Sequence, residues 1–348
     1  MKKILFTGGG TGGHIYPNLA IMDLLKNEYE IVYIGLNNSL EEKLISKDYK
    51  FYGISAVKFV RSLTLKNLLI PFKLIKSISE CKKILKKEKP DLIFSKGGFV
   101  SLPVVLAGHK LNIPCLTHES DFTLGLANKI MSKKCKYVLT SFENTSKQVK
   151  NGLYVGSPIR KEILNVNKNT LKTHLNLNSN KKTLLVMCGS LGSKTINQKI
   201  AENLDNLTNK FNVIHITGKG NFRGLKHKDY FEIEYSNNIE DLIYLSDVII
   251  SRGGSNALFE LLSLKKPILI VPLSKAQSRG DQILNADYFY NLKVANRIYE
   301  EDLDSIDLTN ELINTLNNKH TYINNLKNLS ICGNDNILNV IKQTIKKN

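Results

Sequence analysis

Chemistry in this chain starts with Gly8-Gly-Gly-Thr-Gly-Gly-His14. Glycines here leave the backbone free to turn sharply and expose N–H groups, and His14 follows at the mouth of the turn. A helix N-terminus at this point would receive an anionic or polar ligand and depress the imidazole toward a neutral base; the competing reading is a histidine that caps its own loop. Gly8, Gly10 and Gly13 satisfy G-x-G-x-x-G, but no acidic residue closes a dinucleotide fingerprint, because Ile31-Val-Tyr-Ile34 runs into Gly35-Leu-Asn-Asn. No Gly-Lys-Ser/Thr follows, which excludes a P-loop. Two more segments place polar groups just past short apolar runs: Phe94-Ser-Lys-Gly-Gly-Phe-Val-Ser101, and Leu116-Thr-His-Glu-Ser-Asp121 with His118, Glu119 and Asp121. In the second half, Cys188-Gly-Ser-Leu-Gly-Ser193, Thr217-Gly-Lys-Gly220 and Ser251-Arg-Gly-Gly-Ser-Asn256 are glycine turns able to offer N–H groups to a phosphorylated ligand. Ser190, with the N–H groups that open the next helix, would hold a diphosphate. Glu260, two helical turns beyond Arg252, can accept both hydroxyls of a ribose. Gln282 and Asn285, at i and i+3, share a helix face and suit sugar hydroxyls. Together these residues describe a nucleotide-sugar site.

The elements that must position them alternate. Ile4 to Phe6, Glu30 to Ile34, Phe51 to Ser55, Asp91 to Ser95 and Pro114 to His118 read as short buried strands. Helical spacing resumes after Pro17 and covers Leu40 to Ser46, Leu65 to Leu85 and Leu102 to Gly108. A turn-rich crossing, Val155-Gly-Ser-Pro-Ile-Arg160, interrupts the pattern. It restarts with strands at Leu184 to Met187, Asn212 to Ile216, Phe231 to Tyr235, Asp247 to Ser251 and Ile268 to Pro272. Between and after these, Thr195 to Leu204, Ile239 to Tyr244, Asn256 to Leu262 and Gln282 to Tyr290 read as helices, and a last one runs from about Asn336 to Lys347 behind Asp335 as N-cap. The fold class expected is α/β, with two doubly wound parallel sheets whose ligand-binding strand ends face a cleft. The domains expected are residues 1–158 and 159–334.

A chain of 348 residues suits two domains, and 42% apolar with 23% charged residues is a soluble composition. No apolar run is long enough to cross a bilayer, and Gly8 to His14 breaks the only N-terminal candidate for a signal peptide, so a cytosolic protein is expected. Five scattered cysteines without C-x-x-C spacing suggest neither a disulfide framework nor a zinc site. Net charge is +18, and residues 1–158 hold 24 Lys and Arg against 12 Asp and Glu. An AT-rich genome explains abundant lysine, but the excess is concentrated in the first half. There, Lys58 to Lys89 interleaves Phe59, Leu65, Leu68, Phe72 and Ile75 with Arg61, Lys66, Lys73 and Lys76. This reads as an element lying on anionic lipid, or equally as a solvated lysine face on a core helix. Nucleic acid is disfavoured, since recognisable modules and interleaved stacking aromatics are missing.

Taken in order, Gly8 to His14, Gly97-Gly-Phe-Val-Ser101, His118-Glu119, Gly156 to Arg160, Gly189-Ser-Leu-Gly192, Ser251 to Glu260 and Asp281-Gln-Ile-Leu-Asn-Ala286 span nearly the whole chain. This combination resembles glycosyltransferase family 28 of the GT-B fold, in particular its N-acetylglucosaminyltransferases that complete the peptidoglycan precursor lipid II. The resemblance implies UDP-GlcNAc as donor, bound mainly by the second domain. It implies an undecaprenyl-linked lipid I acceptor on the first domain, which works at the cytoplasmic face of the cell membrane as a peripheral protein. It places Ser255, Asn256, Ala257, Leu258, Phe259 and Glu260 on ribose and diphosphate, Arg252 in the same motif, Ile239 against uracil, Ser190 and Arg160 near the diphosphate, and Gln282 on GlcNAc hydroxyls. Thr11, Gly12 and Gly13 would approach the donor from the acceptor side, and the last helix, 335–348, would pack back on the first domain. Family members often carry His-Glu-Gln-Asn where this chain has His118-Glu-Ser-Asp121, a carboxylate in place of an amide. For the base that deprotonates the acceptor, His14 comes first and Glu119 second; neither metal nor cofactor is expected. Rival readings on the same fold are a nucleotide-sugar 2-epimerase and a diacylglycerol glycosyltransferase, and a non-enzymatic basic binder is suggested by charge alone.

Overall fold

A computed structural model describes residues 1–56, 70–172, 174–276 and 280–346. Two compact units emerge, Met1–Arg160 with Cys332–Asn348, and Lys161–Ile331. In the first, the strands are β1 (Lys3–Thr7), β2 (Glu30–Leu36), β3 (Lys50–Ile54), β4 (Leu92–Ser95), β5 (Cys115–Glu119), β6 (Tyr137–Thr140) and β7 (Gly152–Tyr154). They pair in the order β3-β2-β1-β4-β5-β6-β7, all parallel. Order reverses between β1 and β4, the switch point where such sheets bind ligands. The helices are α1 (Gly12–Leu25), α2 (Leu40–Ile45), α3 (Ile70–Glu88), α4 (Gly98–Lys110), α5 (Leu126–Met131) and α6 (Glu143–Ser146). Because both faces are covered, the central strands are near-continuous apolar runs: Ile4, Leu5 and Phe6 of β1 and Leu92, Ile93 and Phe94 of β4 are fully buried.

Two differences from the sequence expectation matter for the site. Helix α1 begins at Gly12 rather than after Pro17, with extended Thr11 as N-cap and the first turn closed by His14 N–H donating to the Thr11 carbonyl at 3.1 Å. Helix α4 likewise begins at Gly98, not Leu102, entered through Gly97 at φ 85°. The chain turns through left-handed Gly8 and Gly10 ahead of α1 and through Gly97 and Gly98 at the start of α4, with Pro17 and Pro103 accommodated inside the helices. Strands β6 and β7 are additions to the expected five. Residues 65–69 of the expected third helix, and Lys58, Phe59, Arg61, Leu65, Lys66 and Leu68 of the basic stretch, lie outside the described residues. On the part described, Phe72 and Ile75 of α3 stay 72% and 65% exposed beside Lys73 and Lys76. At the far end of α3, Glu88 is buried between Lys3 Nζ and Lys50 Nζ, each at 2.8 Å, with the Tyr52 hydroxyl bonded to it. Burial pushes this carboxyl up, but the bonds from Lys3, Lys50 and Tyr52 win and hold it at about 2.

The second unit opens with α7 (Lys161–Asn165) and continues β8 (Lys182–Met187), α8 (Lys194–Glu202), α9 (Leu204–Lys210), β9 (Phe211–Ile216), β10 (Tyr230–Ile233), α10 (Ile239–Leu245), β11 (Val248–Ser251), α11 (Ser255–Ser263), β12 (Ile268–Ile270), α12 (Asp281–Asn291) and β13 (Asn296–Arg297). A 3-10 segment, Glu300–Ser305, then leads to α13 (Leu308–Asn317) and α14 (Lys319–Leu326). The sheet order β10-β9-β8-β11-β12-β13 is again parallel and doubly wound, with its switch point between β8 and β11.

The chain returns to the first unit beside the segment by which it left. Ser157 pairs with Cys332, Gly333 N–H donates to the Ser157 carbonyl at 2.8 Å, and the buried Asn334 amide bonds Ile159 N–H and its carbonyl, both at 2.9 Å. Helix α15 (Asn334–Lys346) follows; residues 347 and 348 of the expected last helix lie outside the described residues. Its Ile337, Ile341 and Ile345 enter the first unit's core with Ile4, Phe6, Ile21 and Phe94. Each buried isoleucine contributes about 1.5–3 kcal/mol. Lys342 and Glu28 pair at 2.8 Å over the outside of this contact.

Candidate functional site

In the first unit, the register Thr7↔Ser95↔Thr117 brings Gly8, Lys96 and His118 side by side at the carboxyl edge of the sheet. The Gly8 loop is held from beneath: Tyr33 donates to the Gly8 carbonyl at 2.5 Å, while Asn18 Nδ2 donates to the Thr7 carbonyl and Tyr33 Oη, both at 3.1 Å. His14, half-buried in the first turn of α1, has Nδ1 at 3.0 Å from Thr11 Oγ1. Its ring lies over Gly98, where φ is +80° and an added Cβ would stand 3.3 Å from the imidazole. The second glycine turn is therefore the floor beneath His14. Thr11 and Gly13 are exposed at this rim and Gly12 is half-buried.

Glu119 has a different character from His14. It is fully inside the protein, and its two oxygens accept from the N–H groups of Ser120 (2.9 Å), Asp121 (3.1 Å) and Gly125 (2.9 Å) and from Asn128 Nδ2 (2.8 Å). Burial and the nearby Asp121 raise its pKa, opposed by those bonds. Four donors on one carboxylate make it the organiser of the loop 120–125, which carries Asp121. His118 is fully buried with Nε2 3.0 Å from the Gly156 carbonyl, so Nε2 carries the proton. Its buried Nδ1 has no hydrogen-bond partner among the described residues. Burial, aided by the Lys96 charge, holds His118 well below the usual histidine range and thus neutral. Lys96, buried and bonded to Ser120 Oγ, is lowered to about 8 by burial, with Glu119 and Asp121 opposing. Arg160 closes this unit with its guanidinium 5.5 Å over the Tyr16 ring of α1.

In the second unit, a cavity of about 500 Å³ opens at the switch point, a size suited to a small ligand. Its walls are the loop after β8 (Gly189, Gly192, Ser193, Lys194), the turn after β11 (Arg252, Gly254, Ala257), Leu273 and Gln282. Gly192, at φ +68°, sits so tightly against the Thr217 carbonyl that a Cβ would overlap it, which locks this loop onto the neighbouring turn. The N-termini of α8 and α11 both begin here; Ser193 caps α8 by accepting from Ile196 N–H at 3.2 Å. Cys188 on the wall is a neutral thiol, pushed up to about 12 by burial.

The predicted residues distribute unevenly over this site. Arg252, Ala257 and Gln282 line the cavity. Asn256, Ala257 and Glu260 share one half-buried face of α11, while Leu258 and Phe259 turn into the core and Ser255 is the buried first residue. Ser190 is exposed on the β8 loop, its carbonyl accepting from Lys219 N–H at 3.2 Å, and Ile239 opens α10, half-buried. Gln282 Oε1 accepts from Gly253 N–H (3.2 Å) and Leu273 N–H (3.0 Å), so what it offers the cavity is its Nε2 donors. Asn285 is fully buried and donates to the Gly253 carbonyl at 2.9 Å, which braces the turn. Arg252 donates to Ser193 Oγ (2.6 Å), to Glu300 (2.6 Å) and to the carbonyls of Val271 (3.2 Å) and Pro272 (3.4 Å), and so shapes the wall. Sequence reasoning passed over Ser193, although a serine directly before a helical segment is an N-cap signal. It also passed over Lys96, Asn128 and Tyr33, whose roles depend on neighbours distant in sequence.

The profile of the Glycosyltransferase family 28 N-terminal domain matches residues 4–140, and that of the family's C-terminal domain matches residues 183–343. A Clostridium botulinum protein named UDP-N-acetylglucosamine--N-acetylmuramyl-(pentapeptide) pyrophosphoryl-undecaprenol N-acetylglucosamine transferase is 46% identical over 354 aligned positions, covering all of this chain and 99% of that relative. A Clostridium tetani protein of the same name is 44% identical, covering 98% of each chain. Among solved structures, Acinetobacter baumannii MurG superposes with a TM-score of 0.76 at 21% identity, covering 99% of this chain and all of that one. A putative UDP-N-acetylglucosamine 2-epimerase from Listeria monocytogenes superposes at 0.67 with 10% identity, covering all of this chain and 98% of that one. At such identities, these two superpositions speak for the fold alone.

Proposed function

The chain belongs to glycosyltransferase family 28, and from that premise we infer that it transfers GlcNAc from UDP-GlcNAc to the 4-hydroxyl of undecaprenyl-diphospho-N-acetylmuramyl-pentapeptide, making lipid II. The observation that carries this reading is 46% identity from end to end with a relative named for that reaction. The epimerase alternative has only the fold in its favour, at 10% identity.

We assign the donor to the second unit. N–H groups at the start of α8, with Ser190, and at the start of α11, from Ser255, are the diphosphate's cradle; Glu260 takes the ribose hydroxyls, Ile239 the uracil and Gln282 Nε2 the GlcNAc hydroxyls. The acceptor falls to the first unit, at the Gly8 loop and Asp121. The reaction is one inverting displacement: the muramyl oxygen bonds the anomeric carbon from the face opposite UDP, the bond to the diphosphate oxygen breaks, and a β-1,4 linkage results. His14 takes the hydroxyl proton, and the charge gathering on UDP is met by the main-chain N–H groups of its own cradle, the electrostatic part of the barrier; Thr11, Gly12, Gly13 and Arg160 are assigned to substrate within the first unit. No step calls for a metal ion or cofactor. Transfer of labelled GlcNAc to a lipid I analogue tests the reading. Product forming equally with and without chelator is expected; turnover of UDP-GlcNAc without any acceptor would select the epimerase, and transfer to diacylglycerol alone the glycolipid enzyme.

No helix among the described residues is long and apolar enough to cross a membrane. We propose that the enzyme meets its lipid acceptor as a peripheral protein on the cytoplasmic, anionic face of the cell membrane, through the α3 end of the first unit, where exposed Phe72 and Ile75 alternate with Lys73 and Lys76. Flotation with anionic vesicles should bring the protein up at low salt and release it as salt rises, and Phe72→Ser/Ile75→Ser should abolish the effect. Equal flotation of that variant would refute the assignment.

A further inference from the structure

Glu300 lies at the start of the 3-10 segment after β13, outside every motif of the donor site, yet its carboxylate is directed at that site's wall. Oε1 accepts from Arg252 Nη2 at 2.6 Å and Oε2 from Ser274 N–H at 3.4 Å, with only 6% of the side chain exposed. The same Nη2 donates to Ser193 Oγ at 2.6 Å, and Nη1 donates to the Val271 and Pro272 carbonyls. One guanidinium thus ties together the loops after β8, β11 and β12. We propose that Glu300 is a positioning residue for the donor diphosphate, acting through the Arg252 fork on Ser193 and the N-terminus of α8; this rests on the donor assignment above.

The argument is one of hydrogen-bond accounting. Ser193 Oγ accepts from both Ile196 N–H and Arg252 Nη2, which uses its two lone pairs and leaves the hydroxyl proton as what it can give. Ser193 lines the cavity, so the fork turns the cap of α8 into a fixed donor at the place where an anion meets the helix N-terminus. Arg252 is only 12% exposed on its side chain, and its charge stays in place because Glu300 balances it. Without that carboxylate, the guanidinium has every reason to leave the carbonyls and turn toward solvent or the ligand, and the three loops lose their common tie.

The test compares Glu300→Gln, Glu300→Asp, Ser193→Ala and the double variant Glu300→Gln/Ser193→Ala in the full chain, by calorimetry with UDP and by kcat and KM for each substrate. Loss of one charge-assisted contact predicts that Glu300→Gln weakens UDP and raises the UDP-GlcNAc KM by about tenfold, with the acceptor KM unchanged. Ser193→Ala should reproduce this loss without altering any buried charge, the double variant should be no worse than the poorer single, and Glu300→Asp should recover part of the affinity. Losses that multiply in the double variant, unchanged UDP affinity in Ser193→Ala, or equal damage to both substrates would overturn the proposal. Wild-type protein that binds neither UDP nor UDP-GlcNAc would instead overturn the donor assignment on which it rests.

Discussion

His14→Ala is expected to lower kcat for GlcNAc transfer by about 10²–10⁴-fold, the usual contribution of a positioned general base, while leaving the calorimetric affinity for UDP-GlcNAc essentially unchanged. The split follows from placement. His14 belongs to the first turn of α1, its ring rests on Gly98, and Thr11 Oγ1 stands 3.0 Å from Nδ1. If the threonine hydroxyl accepts from Nδ1–H, Nε2 keeps the lone pair that a base needs. Thr11→Val removes that orientation and should give a smaller loss of kcat, again without weakening the donor. Glu119 makes a poor substitute, because four N–H donors already occupy its oxygens. Near-normal turnover by His14→Ala would remove the histidine from the role.

A second large effect is expected at Glu260. A carboxylate accepting two ribose hydroxyls makes two charge-assisted bonds, each worth about 1.5–3 kcal/mol, so Glu260→Ala should weaken UDP-GlcNAc by about 10²-fold or more. Because the nucleotide part is held equally before and during the displacement, KM should carry the loss and kcat should change little. Glu260→Gln should lie between, keeping an acceptor without the charge. A donor with 2′-deoxyribose supplies the control: against it, Glu260→Ala should cost much less, since one of the two partners is already gone. An undiminished penalty would mean that the residue acts by holding α11, whose Asn256 and Ala257 share its face.

Much of the architecture was legible from residue order, for a physical reason. A parallel sheet covered on both sides requires short apolar runs such as Ile31-Val-Tyr-Ile34 and Val248-Ile-Ile250, and these stand out between helical segments. Of the strands that escaped, β6 does carry a buried Val138-Leu139 run, whereas two others lack one. β7 is Gly152-Leu-Tyr154, half-buried at a sheet edge, and β13 is the polar pair Asn296-Arg297, defined by its neighbour β12. Helix starts at Gly12 and Gly98 were placed late, because Gly-Gly reads locally as a breaker, whereas here it is the entry to a helix. At the site, the glycine turns were visible and the side-chain directions were not. Nothing near Arg252 in the sequence shows that its fork belongs to Ser193 and Glu300, or that Asn285 is drawn onto the Gly253 carbonyl. Such assignments depend on partners many residues away.

The laced crossing at Ser157 and Asn334 also has a consequence for the order of assembly. Because Ile337, Ile341 and Ile345 fill the same core as Ile4 and Phe6, the lobe begun first during translation cannot be completed until the ribosome has delivered the final helix. The other lobe, made of one uninterrupted stretch, has all its parts sooner. A growing chain therefore possesses every part of Lys161–Ile331 before it possesses the last part of the unit that Met1–Arg160 begins.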